Sequence, residues 1–469
     1  MNFRFRECTL DQPMLLSPSM QEWLPENHLA RFIGDVTEQL DLSKILREYE
    51  RRDGRGQAGY HPLMLTRLLL YGYAVGDASS RVIERKTYED VAFRYLAADQ
   101  HPDHDTIAAF RQRHLQTLAG LFIQALQLCR KAGLVKLGHV AIDGSKLQAN
   151  ASKHKAMSYG RMLETEQKLQ AEVEELLRRA QETDAQEDQQ YGKGKRGDEL
   201  PEELARRESR LQKIRQAKAE LEAEAREEAE QNKAAAETKI AERRAQAEST
   251  GRKPGGRDPQ APDPEKAVPE EKAQKNFTDA ESRIMPDGGR KGSFVQGYNT
   301  QIAVDSAAQI IVAAAVTQET NDKRQLVPML KQIAQNLGTK PAAVSADAGY
   351  FSQEQVTDEQ TKDIGLYVAT GKQKHGEPAS GESIAAVPAA DENSALEQMK
   401  QKLKTEAGHA MYKMRKAIVE PVFGQIKEWR RFRRFGLRGL DKVSAEWNLI
   451  CLTHNLRKLF RSGWNPRMA

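Results

Sequence analysis

Cysteine is scarce: Cys8, Cys129 and Cys451 are far apart, odd in number and form no CxxC pair, which argues against a disulfide framework and a cysteine zinc site. Long hydrophobic runs are missing as well. Stretches such as 310–316 fall far short of the roughly 20 apolar residues that cross a bilayer. The opening MNFRFRECTL has no long apolar run behind it and does not read as a signal peptide. These absences predict a soluble cytoplasmic protein with no membrane partner. There is no GxxxxGK[ST] run, and the glycine-rich pieces at 249–257 and 286–292 lack a strand-to-helix setting, so no nucleotide cradle is expected. Apolar residues make up only 39% against 30% charged, so part of the 469 residues must be solvated helix or linker.

What is present is unevenly distributed. Net charge is +5, yet 161–250 holds 23 acidic and 18 basic residues, a net of −5, and 411–461 holds 13 basic and 4 acidic, a net of +9. A concentrated basic segment points to a nucleic-acid partner better than the global value does. Residues 1–135 read as several short helices, with Pro62 placed to begin one, Gly72 and Gly76 to weaken or end it, and Asp105 or Thr106 to cap a later one. In HPDHD, at 101–105, a turn and helix cap is favoured over a metal site. From 136 the pattern becomes strand, strand, strand, helix, strand, helix or loop, strand, then a long helix near 411–431. That order predicts an α/β domain, a mixed sheet covered by helices. Between the first two strands, 160–247 is rich in strong helix formers and broken at 190–201, predicting a solvated helical hairpin without a clean heptad seam. Residues 249–275 read as a tether, and 371–395 as a second loose region.

Two aspartates end apolar runs. Asp143 follows Val140-Ala141-Ile142 and precedes Gly144-Ser145-Lys146. Asp347 follows Ala343-Val344-Ser345-Ala346 and precedes Ala348-Gly349-Tyr350. An acid after a strand is usually a turn or cap. Here both lie near strand ends of one expected sheet, with small residues that leave room for a substrate backbone. Phosphoryl transfer on two hard cations needs a third oxygen ligand. Glu420 is the candidate, beside the apolar stripe of Ile418, Val419, Val422, Phe423 and Ile426. Pro421 either kinks that helix or restarts it. Lys427 falls seven residues on, roughly on the Glu420 face, and a helix that ran further would extend this face to Arg431 and Arg434 beside Trp429 and Phe432.

AIDGSKLQANAS, SADAGYFS and YKMRKAIVEPVFGQIK together resemble the DDE transposases of bacterial insertion sequences, with Asp143, Asp347 and Glu420 as the acids. That family's third motif runs tyrosine, two residues, arginine, three residues, glutamate, six residues, lysine. Tyr412, Glu420 and Lys427 fit it. Four residues separate Arg415 from Glu420, so the arginine's place goes to Arg415 or Lys416. The stretch from Gly59 to His114 resembles the helical domain preceding the catalytic domain in one branch of these enzymes. The resemblance implies an all-helical DNA-binding domain over 1–135, an RNase H-like catalytic domain over 136–159 and 276–469, and a hairpin insertion with tether over 160–275. It implies two Mg2+ ions, with Mn2+ as substitute, held by Asp143, Asp347 and Glu420, and Lys427 in the catalytic set. The implied partners are duplex DNA at element ends and at the target, engaged by a homodimer that pairs two ends in the bacterial nucleoid. Candidate DNA contacts are Arg81, Arg85, Lys86, Arg111, Arg113, Lys146, Tyr412, Arg415, Lys416, Lys427, Arg431 and Arg434. A nuclease without strand transfer, or an inactive DNA-binding derivative, is the alternative.

Overall fold

The computed structural model describes residues 19–50, 59–191, 202–250, 260–287, 292–371 and 395–468. Cys8, most of the expected break at 190–201, part of the expected tether and most of the second loose region lie outside the described residues. The chain divides into two compact units, one of 1–147, 299–437 and 441–469, the other of 148–298 and 438–440. Among the described residues, no helix is long and apolar enough to cross a membrane.

Among the described residues of the first unit, seven α-helices come before the strands: α1 (Leu29–Glu38), α2 (Ser43–Glu50), α3 (Pro62–Val75), α4 (Ser80–Glu89), α5 (Val91–Leu96), α6 (His104–Arg113) and α7 (Leu115–Lys131). Their ends follow local chemistry. Pro62 occupies the first turn of α3, where its missing N–H costs nothing, and Gly76 closes that helix at φ 96. Asp103, rather than the anticipated Asp105 or Thr106, caps α6 by accepting from the Thr106 amide. His104 meets Glu84 at 2.8 Å and His101 meets Thr87, so HPDHD forms a cap with local side-chain bonds.

The strands then enter: β1 (His139–Gln148), β5 (Phe294–Asp305), β6 (Ile311–Thr317), β7 (Ala343–Ala346) and β8 (Gly365–Val368), with β2 (Ala156–Ser158), β3 (Gln274–Asn276) and β4 (Arg283–Pro286) between β1 and β5 in the chain. Sheet order runs β5-β1-β7-β8, with β6 on β5. β1, β7 and β8 are parallel and β5–β6 antiparallel, as an RNase H-like mixed sheet requires. Helix α10 (Leu326–Leu337) crosses from β6 to β7, the short α11 (Gln353–Val356) follows β7, and α12 (Ala395–Lys404) leads into α13 (Glu406–Gly424). The closing helix α14 (Leu440–Arg461) buries Trp447, Ile450 and Leu456, and its Asn455 bonds both the N–H and the carbonyl of Ile311 where β6 begins.

Two expectations about α13 change. The helix neither restarts nor breaks at Pro421, and Gln309 donates to the Ala417 carbonyl that proline cannot reach. It also does not run on to Arg434. A π-helical turn, Gln425–Trp429, ends it, and Arg431 sits at φ 63, so Arg431 and Arg434 do not prolong one helical face. Arg430 is buried, donating to the carbonyls of Tyr73 and Ile450 and to Thr453.

In the second unit, α8 (Tyr159–Tyr191) and α9 (Glu202–Thr250) form the expected hairpin. A seam does exist where none was anticipated: Met162, Leu169, Leu211, Ile214, Ala217 and Leu221 pack together against Tyr159. Met162 to Leu169 and Ile214 to Leu221 are seven-residue steps, the spacing of a short coiled coil. Arg215 and Lys218 flank it by pairing with Glu166, each at 2.9 Å. β2 pairs β3, and β4 pairs the first residues of β5.

Gly76 offers a test of the first unit. A Cβ there would stand 2.6 Å from the Arg430 carbonyl oxygen, on a backbone already at φ 96. Gly76→Ala is expected to cost about 1–3 kcal/mol from the left-handed conformation alone, and more from the clash. Chemical denaturation measures it, and an unchanged unfolding midpoint would refute the close approach.

Candidate active site

Strand register brings the first two acids together. β1 and β7 pair in parallel from His139↔Ala343 to Ile142↔Ala346, so the next step sets Asp143 beside Asp347. Asp347 follows the end of β7 as expected, but Asp143 is the fifth residue of β1, which runs on to Gln148, rather than a strand end; the residues before them, Val140, Ala141, Ile142, Val344 and Ala346, are buried. Asp143 Oδ1 accepts from the Gly144 amide at 2.9 Å, and Asp347 Oδ1 from the Gly349 amide at 2.9 Å, opening a 3-10 turn over Ala348–Tyr350. Each carboxylate is thereby oriented by its own following glycine.

Arg415 faces this pair from α13. Its Nη1 donates to Asp143 Oδ2 at 2.9 Å, its side chain is only 9% exposed, and its guanidinium lies 5.9 Å from the centre of the Tyr412 ring. Burial pushes the Asp143 carboxyl up to about 6; Arg415 opposes that shift and Asp347 adds to it. Lys427, in the π-helical turn, donates to Ser145 Oγ at 2.9 Å, two residues from Asp143. Between the two candidates for the motif's basic residue, Arg415 is the one at the aspartates, while Lys416 is exposed.

Glu420 is placed differently. It is exposed, whereas Arg415, Ile418, Val419, Val422 and Phe423 make the buried face of α13. Five residues past Arg415 is about 140° around an α-helix, while four residues past, at Val419, is about 40°. The extra residue in the motif therefore turns the glutamate away from the arginine's face. The following π turn accommodates one added residue, and Lys427 regains the aspartate side. Oxygen donors suited to a hard divalent cation are thus present in Asp143 and Asp347. Among the described residues, however, no group of three or more His, Cys, Asp or Glu side chains is gathered so as to hold a metal.

The expected DNA contacts divide in the same way. Arg81 and Arg113 are exposed. Arg85 pairs with Glu89 at 3.5 Å. Lys86 pairs with Asp77 at 2.6 Å, and Arg111 donates to the Ala78 carbonyl at 2.8 Å, so both are engaged within the fold. Arg431 is exposed beyond the end of the helix. Asp322 carries no signal in the sequence, because its setting in QETNDKRQ has no strand-end pattern. The structure sets it 3.6 Å from Lys146.

A mixed sheet in which parallel β1 and β7 bring two aspartates side by side, with Arg415 of α13 bonded to one of them, is an RNase H-like arrangement. Residues 266–456 match the family described as Transposase DDE domain, and residues 18–113 match Transposase domain (DUF772). The chain carries a DDE-type transposase domain preceded by a helical N-terminal transposase domain. Asp347, Arg415, Glu420 and Lys427 fall inside the first match, and Asp143 lies outside both. No curated protein and no solved structure matches the chain.

In the metal-free protein Asp143 is expected to titrate near 6, against an ordinary 3.8. Between those values the folded chain keeps a proton that the unfolded chain has released, so this group's contribution to stability falls as pH rises through the window. Asp347→Asn should lower the midpoint and Arg415→Gln should raise it. Carbon-13 NMR of the aspartate carboxyls measures both, and an ordinary Asp143 midpoint would contradict the burial argument.

Proposed function

We propose that the site performs metal-dependent phosphoryl transfer on DNA, first nicking an element end and then joining the liberated 3′-OH to target DNA. The observation that carries this reading is the parallel register of β1 and β7, whose last pair, Ile142 and Ala346, brings Asp143 beside Asp347, with Arg415 bonded to Asp143 and Lys427 to Ser145. Asp143 and Asp347 would hold divalent cations, Mg2+ or Mn2+, and Glu420, exposed on α13 away from the Arg415 face, is proposed as a third donor that joins them only when metal and DNA are bound. When bound, such ions activate the attacking hydroxyl and offset charge on the leaving oxygen. The chain's own groups do the rest. Arg415 orients the Asp143 carboxylate. Lys427, fixed by Ser145, adds a positive charge beside β1, where phosphate is attracted without sequence discrimination. Terminal repeats would be recognised through the N-terminal region 1–135, with Arg81, Arg85 and Arg113 as its exposed candidates, in a homodimer that pairs two ends.

Asp143→Ala and Asp347→Ala are expected to abolish Mg2+- or Mn2+-dependent cleavage of element ends while leaving duplex binding near wild type. Products are mapped on gels beside binding isotherms, and normal cleavage by Asp347→Ala protein would remove the assignment. Glu420→Ala is scored separately, since full activity in it would exclude Glu420 alone. Joining with pre-cleaved ends distinguishes a transposase from a nuclease without strand transfer.

Lys427→Ala is expected to lower end cleavage by about tenfold or more, with little change in the unfolding midpoint. Equal rates for wild type and variant would show that the Ser145 contact is only structural.

A further inference from the structure

β1 directs alternate residues to opposite faces of the sheet. Asp143 and Ser145 meet Arg415 and Lys427 on the α13 side. Gly144 and Lys146 point the other way. A Cβ on Gly144 would come within 2.5 Å of Gln301 Nε2, 2.9 Å of Asp322 Oδ1 and 3.2 Å of Asn299 Oδ1. Asp322 lies between β6 and α10 and is none of the three expected acids. Its Oδ1 accepts from Asn299 Nδ2 and Gln301 Nε2, each at 2.7 Å, and stands 3.6 Å from Lys146 Nζ. Gln301 also accepts from the hydroxyl of Tyr350, a fully buried residue three positions after Asp347. Asp322 Oδ2 and Asp347 Oδ1 border the same glycine, at 3.5 and 3.0 Å from where a Gly349 Cβ would stand. Lys146 is half-buried among these acids: burial disfavours its charge, while Asp322, Asp347 and Asp143 favour it.

We propose that Asp322 is a positioning residue of the DNA-cutting site, holding the Lys146 ammonium on the Asp347 side of the site to engage a phosphate of the strand being cut. This rests on the function proposed above. A lysine stem samples many rotamers, and fixing one costs entropy at each encounter. Asp322 is itself held by two amide donors, so it fixes the ammonium before DNA arrives. An ammonium has three N–H donors, and one carboxylate contact leaves others for phosphate oxygens. A pre-placed cation needs no reorganisation as charge develops on the transferring phosphoryl group.

The test uses the full chain and compares Asp322→Asn, Lys146→Ala and the double variant. Asparagine retains an oxygen to accept from Asn299 and Gln301 but loses the charge that tethers Lys146. Asp322→Asn should lower kcat for Mg2+-dependent cleavage by about tenfold or more, with KM for DNA and Tm little changed. Lys146→Ala should lose as much, and the double variant no more than either, because both act through one interaction. A wild-type rate in Asp322→Asn, a double loss equal to the product of the single losses, or a loss that tracks a fallen Tm would overturn the proposal. A second readout needs no turnover. In metal-free protein labelled with carbon-13 at lysine Cε, a short duplex should shift the Lys146 resonance, identified by its absence from Lys146→Ala, and should fail to shift it in Asp322→Asn. Equal shifts in both proteins would refute the tether. Absence of cleavage by the wild type would sink the function proposed above, while this second readout would still decide the role of Asp322.

Discussion

Placing two partly buried carboxylates side by side where β1 and β7 part is unfavourable unless a cation shares the cost, and Arg415 is that cation. The pairing from His139↔Ala343 to Ile142↔Ala346 is driven by burial of apolar side chains, and it leaves no freedom in where Asp143 and Asp347 come to lie. Burial would by itself tend to keep Asp143 protonated, and Asp347 adds to that tendency, so the 2.9 Å contact with Arg415 sustains the charged form. Guanidinium suits this position better than ammonium, since it remains charged on burial and presents a planar fork. The arginine's Nε is buried without a hydrogen-bond partner, a cost accepted at a site whose electrostatics serve chemistry rather than stability.

The orientation of Arg415 depends in turn on α13 keeping its phase through a proline. Pro421 cannot donate to the Ala417 carbonyl, and an orphaned carbonyl there would favour a kink. Gln309, from the turn after β5, fills the gap. The helix then reaches its π turn with Ile418, Val419, Val422 and Ile426 still buried, and the turn delivers Lys427 to Ser145. Helical phase thus divides the residues of one motif: Arg415 and Lys427 lie at the aspartates, and Glu420, between them in sequence, lies on the exposed side.

Much of this was legible from residue order. Short apolar runs ending in an acid marked β1 and β7, and the run of Glu, Ala, Lys, Arg and Gln marked the hairpin of α8 and α9. These signals are local: period, propensity and punctuation. What escaped depended on partners distant in sequence. Asp322 acquires a role only through Asn299, Gln301 and Lys146, which reach it across the sheet. The bonds of Lys86 to Asp77 and of Arg111 to the Ala78 carbonyl were likewise not legible, because neither acceptor announces itself as a partner. The seam at Met162 and Leu211 was hidden because only a short part of the hairpin is apolar, so averaging along the helices dilutes it. The early end of α13 follows from Arg430, whose burial no charge pattern foretells.

Arg430 also bears on how the helical region and the sheet act as one body within the first unit. Its guanidinium joins the Tyr73 carbonyl of α3 to Ile450 and Thr453 of α14, while its own carbonyl closes on Gly76 at the end of α3. Cys129 of α7 donates to the Asn455 carbonyl, and the Asn455 side chain clasps Ile311 at the start of β6. Gln127 and Arg130 of α7 donate to the carbonyls of Asn336 and Leu337 at the end of α10, the helix that leads to β7. A series of hydrogen bonds, some buried and some at the surface, therefore runs from the N-terminal helices to the helix that leads to the strand before Asp347. A rigid connection of this kind fixes the direction in which any DNA held by the helices would approach the aspartates, because packed interiors transmit position rather than absorb it. End recognition and strand cutting on such a body would be coupled by geometry, with no hinge needed between them.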